Sequence, residues 1–349
     1  MRTPRGGALR SRVLLVAALT ADLVLYASDG PYEYSAASYR AALAAQERVT
    51  DEWLALDAVV GTAIGVDGLG HAVLRVYVTT AGAVALPHLV GDVEVVPEVT
   101  GPFTALPTSE SDDGSAADPK RGFERPVPIG VSTGHPRVSA GTIGARVTDG
   151  ERAFALSNNH IFAASNGGSE GDNLLQPGVA DGGKDPDDTI GTLFDFEPLH
   201  FCSAGRCTPN RIDAAIALTS PEDLGNETPD GGYGSPRRWT AEPALGMEVQ
   251  KFGRTTLLTT GRITGIHATI DVQYRDGMAR FEDQIVISPN GGGGDFSAGG
   301  DSGSLVVTNG RLLGARRPVG LLFAGSRVST LANPIDPVLE RFGVRIDGR

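Results

Sequence analysis

Short apolar runs, broken by glycine and proline, constrain this chain more than any other feature. Beyond residue 140 they fall at Thr142–Thr148, Phe154–Leu156, Asp213–Leu218, Met247–Phe252, Gly261–Asp271, Gln284–Ile287, Ser304–Val307 and Val319–Phe323. Runs of this length, bounded by turn-forming residues, predict β-strands. The chain holds 47 Gly and 22 Pro, which favours many strands and turns over helix bundles and suits a pair of β-barrels. Asn333–Phe342 predicts a closing helix. With 349 residues, there is room for one two-barrel domain of about 220 residues and something smaller.

The smaller part comes first. Residues 35–57 predict a helix, with Ala42, Leu43, Val49, Trp53, Leu54 and Leu56 at helical spacings. Val59–Val66 and Ala72–Val78 predict two strands around the turn Asp67-Gly68-Leu69-Gly70, and Val93–Val99 predicts another. A small α+β accessory domain is therefore expected at 35–105. The polar, aromatic-free stretch Ser109–Lys120 predicts a flexible linker within 106–124, which leaves 125–349 for the β-rich domain. Ahead of all this, Arg2, Arg5, Arg10 and Arg12 precede the apolar run Val13–Ala21. That order resembles the start of a signal peptide and favours export over a cytoplasmic home. Asp22 then interrupts the run and no small-x-small cleavage site follows, so residues 1–34 read as a signal or as an extension.

Gly300-Asp301-Ser302-Gly303-Ser304 carries the strongest chemical signal. It follows a glycine-dense loop and runs into the apolar Leu305-Val306-Val307. A serine nucleophile needs a tight turn that lifts its hydroxyl, with neighbouring N–H groups aimed at the oxyanion. Flanking glycines permit both, because they adopt backbone angles that a Cβ forbids. Ser157-Asn158-Asn159-His160 follows a predicted strand, and Asn210-Arg211-Ile212-Asp213 opens another. A hydroxyl becomes a good nucleophile when an imidazole takes its proton, and a carboxylate then orients the imidazole and stabilises its cation. Taken singly, each of these residues is an ordinary turn or capping group. As an ordered set they specify an acyl-transfer site.

These three segments resemble the trypsin/chymotrypsin-like serine peptidases, over roughly residues 125–345. The resemblance implies a mainly β, trypsin-like double β-barrel preceded by the small α+β domain. It implies His160 as general base, Asp213 as its orienting group and Ser302 as nucleophile, with the N–H groups of Gly300 and Ser302 as the oxyanion hole. Lys251-Phe252-Gly253-Arg254-Thr255-Thr256 and Thr259-Thr260-Gly261 resemble a stretch shared by bacterial trypsin-like peptidases with an N-terminal α+β module and by the plant narrow-leaf proteins. By the same resemblance Phe296, Phe323, Ala324 and Gly325 fall in the substrate pocket. Here the sequence departs from the family pattern. Phe323-Ala324-Gly325 stands where the family has Ser-Trp-Gly, so the serine that supports the catalytic Asp is absent. Phe296 stands at the pocket floor, which is compatible with a small or apolar preference or with a pocket that Phe296 itself fills.

The implied activity is a serine endopeptidase that needs no cofactor and acts on polypeptides. The alternatives are an inactive binding protein on the same fold and an esterase or self-processing hydrolase. The 6 His residues show no metal-ligand spacing, and the acidic loop of Asp181, Asp185, Asp187 and Asp188 reads as solvated rather than as a calcium site. A formal net charge of −12 argues against nucleic-acid binding. Cys202 and Cys207 are spaced for a hairpin disulfide across Gly205, which would suit an oxidising compartment, or are two free thiols in a reducing one. The oligomeric state is not encoded in any motif.

Overall fold

The computed structural model describes residues 34–105, 118–291, 295–310 and 315–349. The expected leader (save Tyr34) and most of the expected linker lie outside these residues. The chain opens with α1 (Ala36–Leu54), then β1 (Val59–Val66), β2 (Ala72–Val78), β3 (Leu89–Val90), β4 (Val93–Val99) and β5 (Phe103–Thr104). A first β unit follows. It comprises β6 (Ser132–Thr133), β7 (Gly141–Thr142), β8 (Ala145–Thr148), β9 (Ala153–Ser157), the short α2 (Asn159–Phe162), β10 (Asn173–Leu175), β11 (Thr189–Phe196) and β12 (Ala215–Thr219). The second unit holds β13 (Glu248–Gly253), β14 (Leu257–Tyr274), β15 (Gly277–Pro289), β16 (Leu305–Thr308), β17 (Pro318–Gly325) and β18 (Thr330–Pro334). The chain then passes through α3 (Ile335–Phe342) to β19 (Arg345–Ile346).

The fold is mainly β. The second unit closes on itself: strands run in the order β13-β16-β17-β18-β15-β14, and β14 pairs back onto β13. The first unit forms the sheet β10-β11-β12-β9-β8-β19, and its last strand comes from the C-terminus, after α3 has crossed back. One apolar cluster lies between the two units. It joins Phe154, Leu156 and Ile216 of the first to Leu305, Leu321 and Val338 of the second. β9 and β16, the strands that adjoin the His160 and Ser302 turns, are buried along their whole length, as expected of strands covered on both faces.

The N-terminal segment is joined to the barrel by strand pairing. β1 pairs antiparallel with β14, with Gly61 opposite Ile270, so β1, β2, β4 and β3 continue the barrel's own sheet. α1 begins at the N-cap Ser35, whose hydroxyl accepts from Ser38 N at 3.0 Å. It buries Ala42, Ala45, Val49 and Trp53 in one cluster with Leu245, Ile263, Ile285 and Phe296 of the barrel. Buried Gln46 donates to Thr62 Oγ1 at 3.2 Å and to His267 O at 2.8 Å, tying helix, module strand and barrel strand together. The polar sequence at 109–120 suggested independence, but the long β14–β15 hairpin supplies an edge on which the module completes the sheet.

Candidate active site

Asp213 is fully buried immediately before β12. Its backbone is held from both sides: its N–H donates to Asn333 Oδ1 at 3.0 Å and its carbonyl accepts from Asn158 Nδ2 at 2.8 Å. β9 ends at Ser157, and the single turn of α2 then carries His160 over that carboxylate. His160 N donates to Asp213 Oδ1 at 3.2 Å, and the ring Nδ1 meets Oδ2 at 2.6 Å. With Nδ1 donating to a carboxylate, Nε2 keeps its lone pair. Nε2 is buried and has no hydrogen-bond partner among the described residues.

The support that the family's serine supplies elsewhere comes from a residue the sequence reading missed. Tyr274, at the end of β14, donates its hydroxyl to Asp213 Oδ2 at 2.8 Å. Burial, with the Asp213 charge beside it, holds this phenol well above its usual range, so it stays protonated and serves as a donor. Its ring meets the His160 ring edge-on at 5.8 Å. The visible signal was the polar turn Arg275-Asp276 followed by Gly277, which places Tyr274 at a strand end.

Ser302 sits in the turn leading into β16. Gly303 has φ of +95°, and a Cβ there would lie 2.2 Å from both Ser157 Oγ and Thr142 O. Glycine is therefore required for the Ser302 turn to press against the first unit beside α2. Thr142 fastens this approach: its N–H donates to Ser302 O at 2.8 Å and its hydroxyl to Gly300 O at 2.8 Å. The N–H groups of Gly300 and Ser302, the expected oxyanion donors, have no acceptor among the described residues. Ser302 itself is fully buried, and its Oγ donates to Phe323 O at 3.3 Å. The expected His160–Ser302 hydrogen bond is thus not made in this arrangement.

Asp301 explains why the turn keeps its shape. Its Oδ1 accepts from Thr255 N at 2.8 Å and Thr256 N at 3.2 Å. Its Oδ2 accepts from Thr256 Oγ1 at 2.6 Å and Ala298 N at 3.0 Å. Lys251 Nζ stands 3.6 Å from the same oxygen, with both side chains fully buried. Burial lowers the Lys251 pKa, and the Asp301 charge opposes that shift. The Lys-Phe-Gly-Arg-Thr-Thr stretch, noticed in the sequence only as a resemblance, is therefore the clamp on the residue preceding Ser302. Arg254 of that stretch forks onto Asp181, with Nε donating to Oδ2 at 2.7 Å. Asp181, expected in a solvated acidic loop, is thereby drawn into the structure.

The expected pocket residues need correction. Phe296 is buried in the barrel core with Val249 and Ile287 and fills the position assigned to a pocket floor. The side chains of Phe323 and Ala324 also point into core, beside Phe281 and Val286, so only their backbone faces the site. Gly325 pairs with Thr330 and Thr104. The cavity beside His160, about 640 Å³, is lined instead by Thr104, Ala105, Val138, Ile161, Tyr274 and Arg275 among others. Cys202 and Cys207 are joined, S–S 2.01 Å, in a loop whose Cys202 N donates to Met278 O at 2.7 Å, next to the Tyr274 hairpin.

Among solved structures, the chain is similar to a glutamic acid specific serine protease at 19% identity and a TM-score of 0.42, covering 63% of this chain and 100% of that one. It is similar to Thermobifida fusca protease A at 21% and 0.44, covering 63% and 98%, and to a Cellulomonas bogoriensis chymotrypsin at 19% and 0.42, covering 65% and 100%. A comparison with curated proteins returns no match. Residues 240–332 match the Nal1 C-terminal domain, of the plant narrow-leaf family. That span holds Lys251, Tyr274 and Ser302 and leaves His160 and Asp213 outside it.

Proposed function

We propose that this chain is a serine endopeptidase acting through Ser302, His160 and Asp213. The observation that carries the reading is the His160 Nδ1–Asp213 Oδ2 contact at 2.6 Å with Nε2 left bare. A histidine so oriented is a general base awaiting a proton. The Ser302 hydroxyl turns from Phe323 O to Nε2, gives up its proton and attacks the scissile carbonyl. The resulting oxyanion is received by the N–H groups of Gly300 and Ser302. The imidazolium, held by Asp213, protonates the leaving amine, and water activated by the same ring releases the acyl group.

The rival reading is a binding protein on the same fold. It is favoured by one observation, the complete burial of Ser302 with its hydroxyl engaged elsewhere. Turnover of a casein-type substrate, compared with Ser302→Ala at matched thermal melt, separates the two. The peptidase reading expects hydrolysis that vanishes in the variant. Hydrolysis retained by a folded Ser302→Ala protein removes Ser302 from the chemistry.

A further inference from the structure

The strand edge leading away from Ser302 is already occupied by this chain. β17 stays with the nucleophile segment as far as Leu322, whose carbonyl accepts from Gly303 N at 2.8 Å. The next residues, Phe323 to Gly325, run past the Ser302 hydroxyl. On one side they pair with β18, Ala324 opposite Leu331 and Gly325 opposite Thr330. On the other side Gly325 pairs antiparallel with Thr104 of β5. β5 is also held from behind: it runs parallel to β14, Phe103 opposite Val272 and Thr104 opposite Gln273. Ala105 N donates to Gln273 O at 3.0 Å. Phe103 is the anchor, 1% exposed and edge-on to Tyr77 at 5.8 Å.

An extended peptide recognises a sheet by adding a strand to a free edge. A substrate whose carbonyl lies at Ser302 starts beside Phe323 O, and its acyl side runs back along β17. Each residue advances about 3.3 Å, so the third residue before the scissile bond arrives where Thr104 stands against Gly325. Resting on the peptidase reading above, we infer that Phe103–Ala105 set substrate selectivity, by limiting backbone recognition on the acyl side to the two residues next to the scissile bond. Longer chains leave the edge there and turn out to solvent. What remains for recognition is the cavity around His160, which Thr104 and Ala105 help to wall. His160 protonates the leaving amine, so discrimination falls on those two residues and on the leaving side.

The test uses the full chain and a series of identically capped peptidyl phosphonates of one to four residues, reading the second-order rate of Ser302 modification by mass. The expected rates rise from one residue to two and then stay within about twofold out to four. A rise of about tenfold or more between two residues and four overturns the inference, because the longer inhibitors then gain an edge that β5 is said to hold. If no phosphonate and no small fluorophosphonate modifies Ser302 in folded protein, the peptidase reading itself fails and takes the inference with it.

Discussion

Tyr274 and His160 converge on one oxygen of Asp213: the phenol donates to Oδ2 at 2.8 Å and the imidazole Nδ1 meets it at 2.6 Å. Phe323 stands where the resembled family has the serine that supports this Asp, and Tyr274, from the tip of a long hairpin, donates to the carboxylate here. Tyr274→Phe keeps the ring and removes the donor. It is expected to lower kcat by about 10- to 100-fold, the worth of a hydrogen bond to a buried charge, with KM nearly unchanged. A kcat within about twofold of wild type in steady-state assays would show that Asp213 needs no such support.

Lys251 and Asp301 form a buried pair behind the Ser302 turn. Lys251→Met leaves the Asp301 carboxylate without its counter-charge. The expected loss is about 3–5 kcal/mol in urea denaturation, accompanied by weaker fluorophosphonate labelling of the protein that remains folded. Adding Asp301→Asn to Lys251→Met should recover part of the stability. A single variant as stable as wild type would mean that the carboxylate's four other donors suffice.

α1 and the barrel share one core, so they should unfold together. Trp53→Ala empties a site that is 6% exposed and is expected to cost about 3–5 kcal/mol. Calorimetry should show one transition moved to lower temperature as a whole. A separate early transition, with the barrel's melting unchanged, would restore the independent module that the polar stretch at 109–120 suggested.

The Asp149 carboxylate is held down to about 2 by the N–H groups of Arg152 and Glu151, with the Arg152 guanidinium adding to them. A carboxylate lowered by folding stabilises the fold above its unfolded value and loses that contribution as pH falls through the folded one. The stability difference between wild type and Asp149→Asn should therefore be full above about pH 4 and shrink towards zero as pH falls to about 2. Urea midpoints across that range check it, and a difference independent of pH would locate the effect in something other than the charge.

Much of this was legible because it is local. β1, β2 and β4 follow from alternating and β-branched runs between Gly- and Asp-containing turns, and they stand at the predicted residues. Ser302, His160 and Asp213 were readable as candidates because each is a recognisable residue type at a recognisable turn or strand edge. What was hidden depends on distant partners. Tyr274 reads as an ordinary strand aromatic until the fold places Asp213 against it. Phe103-Thr104 is too short to announce a strand and exists as one only because β14 and β17 flank it. Phe296 carried two readings, a pocket floor or a side chain that fills the pocket itself, because a position in a motif says nothing about which way the side chain turns when a core needs filling.

The most direct measurement is stoichiometric labelling with a small fluorophosphonate, followed by mass mapping of the modified residue. The proposed action of Ser302 with His160 and Asp213 predicts one label per chain, on Ser302, lost in Ser302→Ala and strongly reduced in His160→Ala. A folded wild-type chain that takes no label, or a Ser302→Ala chain that still does, would contradict an activated serine at this site.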